Sequence, residues 1–340
     1  MKRVLYIDPI LQNGHVKFNK IYINKLNELD VIIDYIFVKG YEKNFNISYD
    51  KIIYLIPSIL FKYNYGKFGN RICYLISLIL VKFHCKFGVY DKIIFSSFEE
   101  ISFYFSGINN SILINHVNFQ NFNSNVKRFF LTRVLKKNKC IVFDLDTKNE
   151  VLKYGNFDII IKPHGFYKQF NFKIDSSFTI KNKDLYNNFI FSPSSNSSDL
   201  YFLSSLLNSS YFLNFLKENK ILFIVRSNIE IEKNDNILML NKYLTDQEYS
   251  HFFNLSDVIL INYPKSFRFR TSGVLFECFE FNKPCLVSDL KGFRNYSKHF
   301  NYNPFYNDIE SLVNSYFSLK KYNCYYKNLE DLNPCLKDLI

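Results

Sequence analysis

Residues 257–289 read DVILINYPKSFRFRTSGVLFECFEFNKPCLVSD, and the division of this stretch decides the fold. Val258–Ile261 is a short, wholly apolar run, which suits a strand buried on both faces. The chain then turns through Tyr263-Pro264 into a loop with three cations, Lys265, Arg268 and Arg270. Thr271-Ser272-Gly273 opens a helix that carries the chain to Phe281, since hydroxyl side chains cap helix starts. After Lys283-Pro284 comes a second apolar run, Cys285–Val287. Strand, helix and strand in such close succession form a crossover unit, the building block of a parallel sheet.

The same alternation continues in both directions. Toward the N terminus the pattern predicts strands at 4–7, 31–38, 51–55, 92–96, 111–116, 140–143 and 158–162. Helices are predicted at 15–29, 70–87, 99–105, 125–136 and 147–154. Residues 164–188 are polar and poorly periodic. A second series follows, with strands at 189–192, 221–225 and 236–240 and helices at 199–217, 245–255 and 309–319. Short buried strands alternating with helices give an α/β fold with helices on both sheet faces. The expected organisation is an N-terminal Rossmann-like domain over 1–165, a linker over 166–188, a second such domain over 189–322 and a C-terminal tail over 323–340. Open parallel sheets bind ligands beyond the carboxyl ends of their strands. A functional cleft is therefore expected between the domains.

Composition narrows the class. The chain has 340 residues, 48% of them hydrophobic, which excludes a disordered or fibrous protein. It has no alanine or tryptophan and is rich in Lys, Asn, Ile, Phe and Tyr, the residues of A- and T-rich codons. The net charge of +12 is thus partly a matter of codon supply. Seven cysteines, an odd number without CxxC spacing, argue against a disulfide framework or a zinc site and for reduced, buried thiols. Met1-Lys2-Arg3 runs straight into a strand pattern, and the longest candidate span, Ile72–Val81, is only ten residues. A cytoplasmic protein is expected, peripheral at the inner face of the membrane if it docks there. Residues 51–90 hold six Lys and Arg and no acid. Lys, Tyr and Phe over 56–90 suit an anionic membrane surface. A core helix with snorkelling cations explains the same residues. No nucleic-acid motif accompanies them, so no nucleic-acid partner is expected.

The 263–277 stretch has most chemistry. Free N–H groups at a helix start attract an anion, and Gly273 permits close approach. Arg270, with Arg226 after the strand at 221–225, could bond a diphosphate. Glu277, one turn in, could accept from ribose hydroxyls. Thr271 or Ser272 as a plain cap, with Glu277 on the surface, explains the same residues. In the first domain His116 ends a strand and could bond a sugar hydroxyl or move a proton. Gly14-His15 on the first loop and His164 at the linker entry are acceptor-side candidates. Asp8, after the first strand, could be a base or simply start its loop. Asp144-Leu-Asp146 could hold a metal through oxygen ligands, or could start the helix after it. The two-domain order favours the cap, and no metal or other cofactor is expected.

The run Arg270–Asp289 resembles the nucleotide-sugar signature of GT-B glycosyltransferases, closest to the retaining family 4. That pattern is roughly SG…hEAhxxGxPVhxSD, with h apolar. Lys283-Pro284 and Ser288-Asp289 match its later parts, and Asp257 and Pro264 match the passage before it. The resemblance implies a GT-B fold, two Rossmann-like domains facing a central cleft. It also implies a metal-independent, hexosyltransferase-like enzyme of surface polysaccharide biosynthesis. Such an enzyme moves sugar from a nucleoside diphosphate sugar to a glycan or lipid-linked acceptor. Carried over by position, Arg226, Arg270, Thr271, Ser272, Gly273 and Glu277 would hold the donor, and His116 would be catalytic. Two departures stand out: the family's first acid falls on Phe269, and the loop Ser192–Ser198 has no cation. They leave room for a non-catalytic glycan- or membrane-binding protein, or for another nucleotide-sugar enzyme such as an epimerase.

Overall fold

The computed structural model describes residues 1–10, 15–166, 183–193, 199–230, 232–319, 321–322 and 324–340. The chain divides into two compact units, Met1–Tyr167 with Glu330–Ile340, and Lys168–Leu329.

Unit 1 alternates strands and helices in the order β1 (Lys2–Ile7), α1 (Val16–Asn27), β2 (Val31–Val38), β3 (Ile52–Ile56), α2 (Gly66–His84), β4 (Lys92–Phe95), α3 (Glu100–Ser106), β5 (Ile112–Ile114), α4 (Asn125–Leu135), β6 (Lys139–Val142), α5 (Leu145–Leu152) and β7 (Ile159–Ile161). The seven strands are parallel, in the order β3-β2-β1-β4-β5-β6-β7. Strand order reverses between β1 and β4, so the chain leaves the sheet on opposite sides there and opens a crevice at the carboxyl ends. The apolar runs explain the burial: Val4–Ile7, Ile112–Ile114 and Cys140–Val142 are nearly inaccessible. Residues 323–340, set apart as a tail by sequence, divide in the structure. From Glu330 the chain belongs to unit 1, where Leu336 and Leu339 enter the core and Asp338 pairs with Lys162.

Unit 2 runs β8 (Asn188–Ser192), α6 (Leu200–Leu207), α7 (Ser210–Glu218), β9 (Ile221–Val225), β10 (Ile237–Met239), α8 (Asp246–Leu255), β11 (Val258–Ile261), α9 (Gly273–Glu280), β12 (Cys285–Ser288), α10 (Lys291–Arg294), β13 (Phe305–Tyr306) and α11 (Ile309–Leu319). Its parallel sheet has the order β10-β9-β8-β11-β12-β13, reversing between β8 and β11. The single helix expected over 199–217 is two helices. Ser209 interrupts it, because its hydroxyl accepts from Phe212 N at 3.3 Å and caps a new helix, while Asn208 Nδ2 ties back to Ser204 O at 2.8 Å. Thr245 starts α8 with a reciprocal capping box to Glu248. Among the described residues no helix is long and apolar enough to cross a membrane.

Candidate functional site

Each unit places its chemistry at the reversal point of its own sheet. In unit 2 the loops after β8 and β11 lie there. Asn262, just past β11, joins them: its Nδ2 donates to Asp199 O at 3.0 Å and its carbonyl accepts from Asp199 N at 3.1 Å. The 263–272 loop is held from below. Tyr263 N donates to Ser288 Oγ at 2.9 Å, and Tyr263 Oη lies 3.1 Å from Ser272 Oγ. Ser272 caps α9 by accepting from Leu275 N at 3.3 Å. Thr271 Oγ1 lies 3.4 Å from Tyr296 Oη, so it anchors the loop to α10's far end.

Gly273 is exposed, and a Cβ there would meet nothing within 4 Å. Its backbone is not among those with positive φ. Neither packing nor conformation among the described residues asks for glycine there. Gly292 contrasts with it. A Cβ at Gly292 would press Arg268 O at 2.9 Å and Arg270 O at 3.1 Å, so a bare α10 lets the cation loop lie close.

Arg270 spreads its guanidinium over the Phe267 ring at 3.8 Å. Its buried Nε has no hydrogen-bond partner among the described residues. Burial pushes its pKa down from the usual arginine range, though a guanidinium in a protein keeps its proton. A cation partly out of water with an unused donor is suited to an anion. Arg226 lies just past β9. Its Nε donates to Lys242 O at 3.2 Å and its plane covers Tyr243 at 4.5 Å. Arg268 is exposed beside Phe269, which is 8% accessible and part of the core. The position of the absent acid is therefore a packing position here.

Glu277 is not a surface residue. It is 9% accessible, and Tyr249 Oη donates to its carboxylate from α8. Burial and that carboxylate hold the Tyr249 phenol well above its ordinary pKa, so it remains a donor.

In unit 1 the structure brings His15, His116 and His164 into one aromatic cluster, from the loops after β1, β5 and β7. His15 stacks on His116 with centroids 4.2 Å apart. Phe18 of α1 meets His116 at 4.5 Å and His164 at 5.0 Å, and Phe143 closes on both at 5.5 and 5.3 Å. His116 Nε2–H donates to Ser96 O, past β4, at 2.9 Å, which leaves Nδ1 as the basic nitrogen. His164 Nδ1–H donates to Gly165 O at 3.0 Å. Gly165 has φ +81°, and a Cβ there would strike Ile21 and Pro334, so only glycine lets the chain turn beneath His164. Burial, with repulsion from His164, lowers His15 to about 4; burial alone is the main cause that lowers His164 to about 4. His116 is driven well below its ordinary value by burial and then by its two neighbours. Each shift favours the neutral form of its ring. His15 Nδ1 has no hydrogen-bond partner among the described residues. Gly14 lies outside the described residues.

Asp8, just past β1, is fully buried. It accepts from Asn19 Nδ2 at 2.5 Å, Ser97 Oγ at 2.9 Å and Ile10 N at 3.3 Å, while Tyr6 Oη donates to Asn19 Oδ1 at 2.8 Å. Desolvation raises its pKa to about 6. Asp144 uses both oxygens on Thr147, at 2.6 Å to N and 2.8 Å to Oγ1, so it caps α5. The residues that sequence does not single out are the supports: Tyr249, Tyr263, Phe18 and Phe143. In a chain with 26 Tyr and 38 Phe, none of them stands out by type.

No protein-family profile matches the chain, and no curated protein matches its sequence. Solved structures do match its fold. The UDP-GlcNAc 2-epimerase of Neisseria meningitidis, bound to UDP-GlcNAc, superposes with a TM-score of 0.57 at 12% identity over 100% of this chain and 98% of that one. Alr3699/HepE of Anabaena, in complex with UDP-glucose, gives 0.59 at 12% identity over 94% and 89%. The trehalose-6-phosphate synthase OtsA gives 0.59 at 11% identity over 95% and 92%. The chain therefore has the GT-B fold, with two Rossmann-like parallel-sheet units.

Proposed function

We propose that this chain is a sugar-nucleotide enzyme of the GT-B type, a glycosyltransferase that takes a nucleoside diphosphate sugar as donor. Unit 2 would bind the donor. The start of α9 and Arg270 would meet the diphosphate, Arg226 would add charge, and Thr271 and Ser272 would fix the loop. Glu277, through its carboxylate beside Tyr249, would face the ribose. Unit 1 would take the acceptor, a glycan or lipid-linked saccharide of surface polysaccharide synthesis. His116 Nδ1 would take or share a proton from an acceptor hydroxyl, with His15 and His164 beside it. The neutral rings are free to share that proton, while their burial makes each a weaker base than a solvated imidazole. Family 4 membership, retention of configuration and independence of metal ions are part of the same proposal, and rest on the Arg270–Asp289 resemblance.

The observation that carries the reading is an exposed, unforced glycine at a helix start, beside a half-buried arginine with an unused donor, at the reversal point of a parallel sheet. The test is thermal stabilisation by UDP, GDP, dTDP and CMP, with and without divalent metal. One nucleoside diphosphate should raise Tm without metal, and Arg270→Ala should shrink the rise. No shift with any of the four overturns the donor site. Glu277→Ala is a poor probe, because it removes the carboxylate to which buried Tyr249 Oη donates. Glu277→Gln keeps an acceptor for it.

A second reading, an epimerase, is favoured by the near-complete coverage of the Neisseria meningitidis enzyme. Conversion of a nucleotide sugar without any acceptor would select it. The non-catalytic reading draws on Phe269 in place of an acid, and donor turnover of either kind eliminates it.

A further inference from the structure

The exposed face of α2 has no role in the reading above. Phe68, Ile72, Ile76, Ile79 and Phe83 are spaced four, four, three and four apart, which places them on one narrow stripe of the helix. All five are open to solvent, Phe68 at 76% and Phe83 at 84%. The opposite side, with Ser77, Leu78 and Val81, is the buried one. The stripe is thus in addition to the face that packs on the core.

Along the chain the charge here is one-sided, between exposed Asp50 and Asp91. Exposed Lys62 and Lys67 stand at one end of the stripe and exposed Lys86 at the other, with no acid from 51 to 90. Not every cation of this stretch is available. Arg71 pairs with Glu99 at 2.9 Å and Lys82 Nζ donates to Ser106 O at 3.2 Å, so these two tie α2 to α3.

We infer that this stripe docks the protein on an anionic lipid bilayer, with the five apolar side chains in the headgroup–acyl boundary and Lys62, Lys67 and Lys86 among the headgroups. The charge selects this occupant over a second copy of the chain. A two-fold contact through the stripe would set these lysines against their own copies with no acid from 51 to 90 to offset them. An anionic surface attracts each of them. Apolar burial of about 5–10 Å with flanking cations is the geometry of an interfacial helix.

The test uses the full chain and sedimentation with vesicles, of phosphatidylcholine alone or with about one-third phosphatidylglycerol. Binding should need the anionic lipid and weaken with salt. Ile79→Ser with Phe83→Ser should cut partitioning roughly tenfold or more. Lys67→Glu with Lys86→Glu should abolish it. Both double variants should keep Tm and the nucleotide-induced shift, because the changed side chains are exposed and outside the proposed donor site. Equal binding to both vesicle types, or no loss in the stripe variant, overturns the proposal. So does a dimer in sedimentation that Phe83→Ser dissolves while wild type ignores vesicles. A missing nucleotide shift with intact vesicle binding would count against the donor site alone.

Discussion

The two sheet reversal points solve opposite electrostatic problems. Unit 2 gathers positive charge and leaves part of it unpaired: Arg270 lies against Phe267 with a buried donor unused, next to a bare helix start. Unit 1 gathers three side chains that could be positive and keeps them neutral, by packing them on Phe18 and Phe143. The first arrangement suits binding a diphosphate, and the second presents neutral rings that can hydrogen-bond a hydroxyl and share its proton. The same parallel-sheet reversal supports both, so the difference comes from the loop residues, not the scaffold.

The largest break in this comparison is at His116. His116→Phe preserves the aromatic packing and removes the basic nitrogen. Transfer should fall by about 10²–10⁴-fold, the usual worth of a general base. The nucleotide-induced Tm shift should be unchanged, because that belongs to unit 2. An unchanged transfer rate would remove His116 from the chemistry. Next comes pH. For His15 and His164, depressed from 6.5 to about 4, the folded state binds fewer protons than the unfolded one between those values. Stability is therefore full above about pH 6.5 and is lost as pH falls toward 4, by roughly 2–3 kcal/mol for each ring. Asp8 works the other way. Its carboxyl is raised to about 6, so the folded state binds the extra proton and stability falls as pH rises from about 4 to 6. Asp8→Asn should remove that offset and steepen the acid loss in thermal melts between pH 4 and 6.5. A flat profile in wild type and variant would mean the rings are solvated.

Arg270→Ala sharpens the other side. Losing a charge-assisted contact should weaken nucleoside diphosphate binding by about 10–100-fold, read by titration calorimetry. Acid stability should not change, because Arg270 has no part in the histidine cluster.

Sequence carries the scaffold further than the sites. Short buried runs such as 4–7 and 258–261, each followed by a helix, mark out the two sheets, because strand burial on two faces leaves an unmistakable apolar signature. The break at Ser209 is missed because Leu, Phe and Tyr continue the helical pattern across it, and a single serine decides. The α9 start is legible from Thr271-Ser272-Gly273, but the burial of Glu277 is not, since its reason is Tyr249 on another helix. The three histidines are each visible by place, after β1, β5 and β7. Their stacking is not visible, because it depends on Phe18 and Phe143 among many identical residues and on a glycine at 165 that turns the chain beneath one of them.

The smallest effect separates ligand from protein most cleanly. Gly273 sits in the first turn of α9 without positive φ and with open space where a Cβ would go. Alanine there meets no clash and reduces the freedom of the unfolded chain, so Gly273→Ala should hold or raise stability by about 0.4–1 kcal/mol. If the glycine exists for packing, Tm falls. If it exists for an approaching diphosphate, Tm holds or rises slightly while the nucleotide-induced shift shrinks, because the added methyl occupies the approach to the backbone N–H groups. Gly292→Ala is the control, since a Cβ there presses two carbonyl oxygens of the cation loop. It should lower both Tm and nucleotide affinity together. A Gly273→Ala protein with full nucleotide response would show that the α9 start is only a helix start, and would leave Arg226 and Arg270 to bind the anion without it.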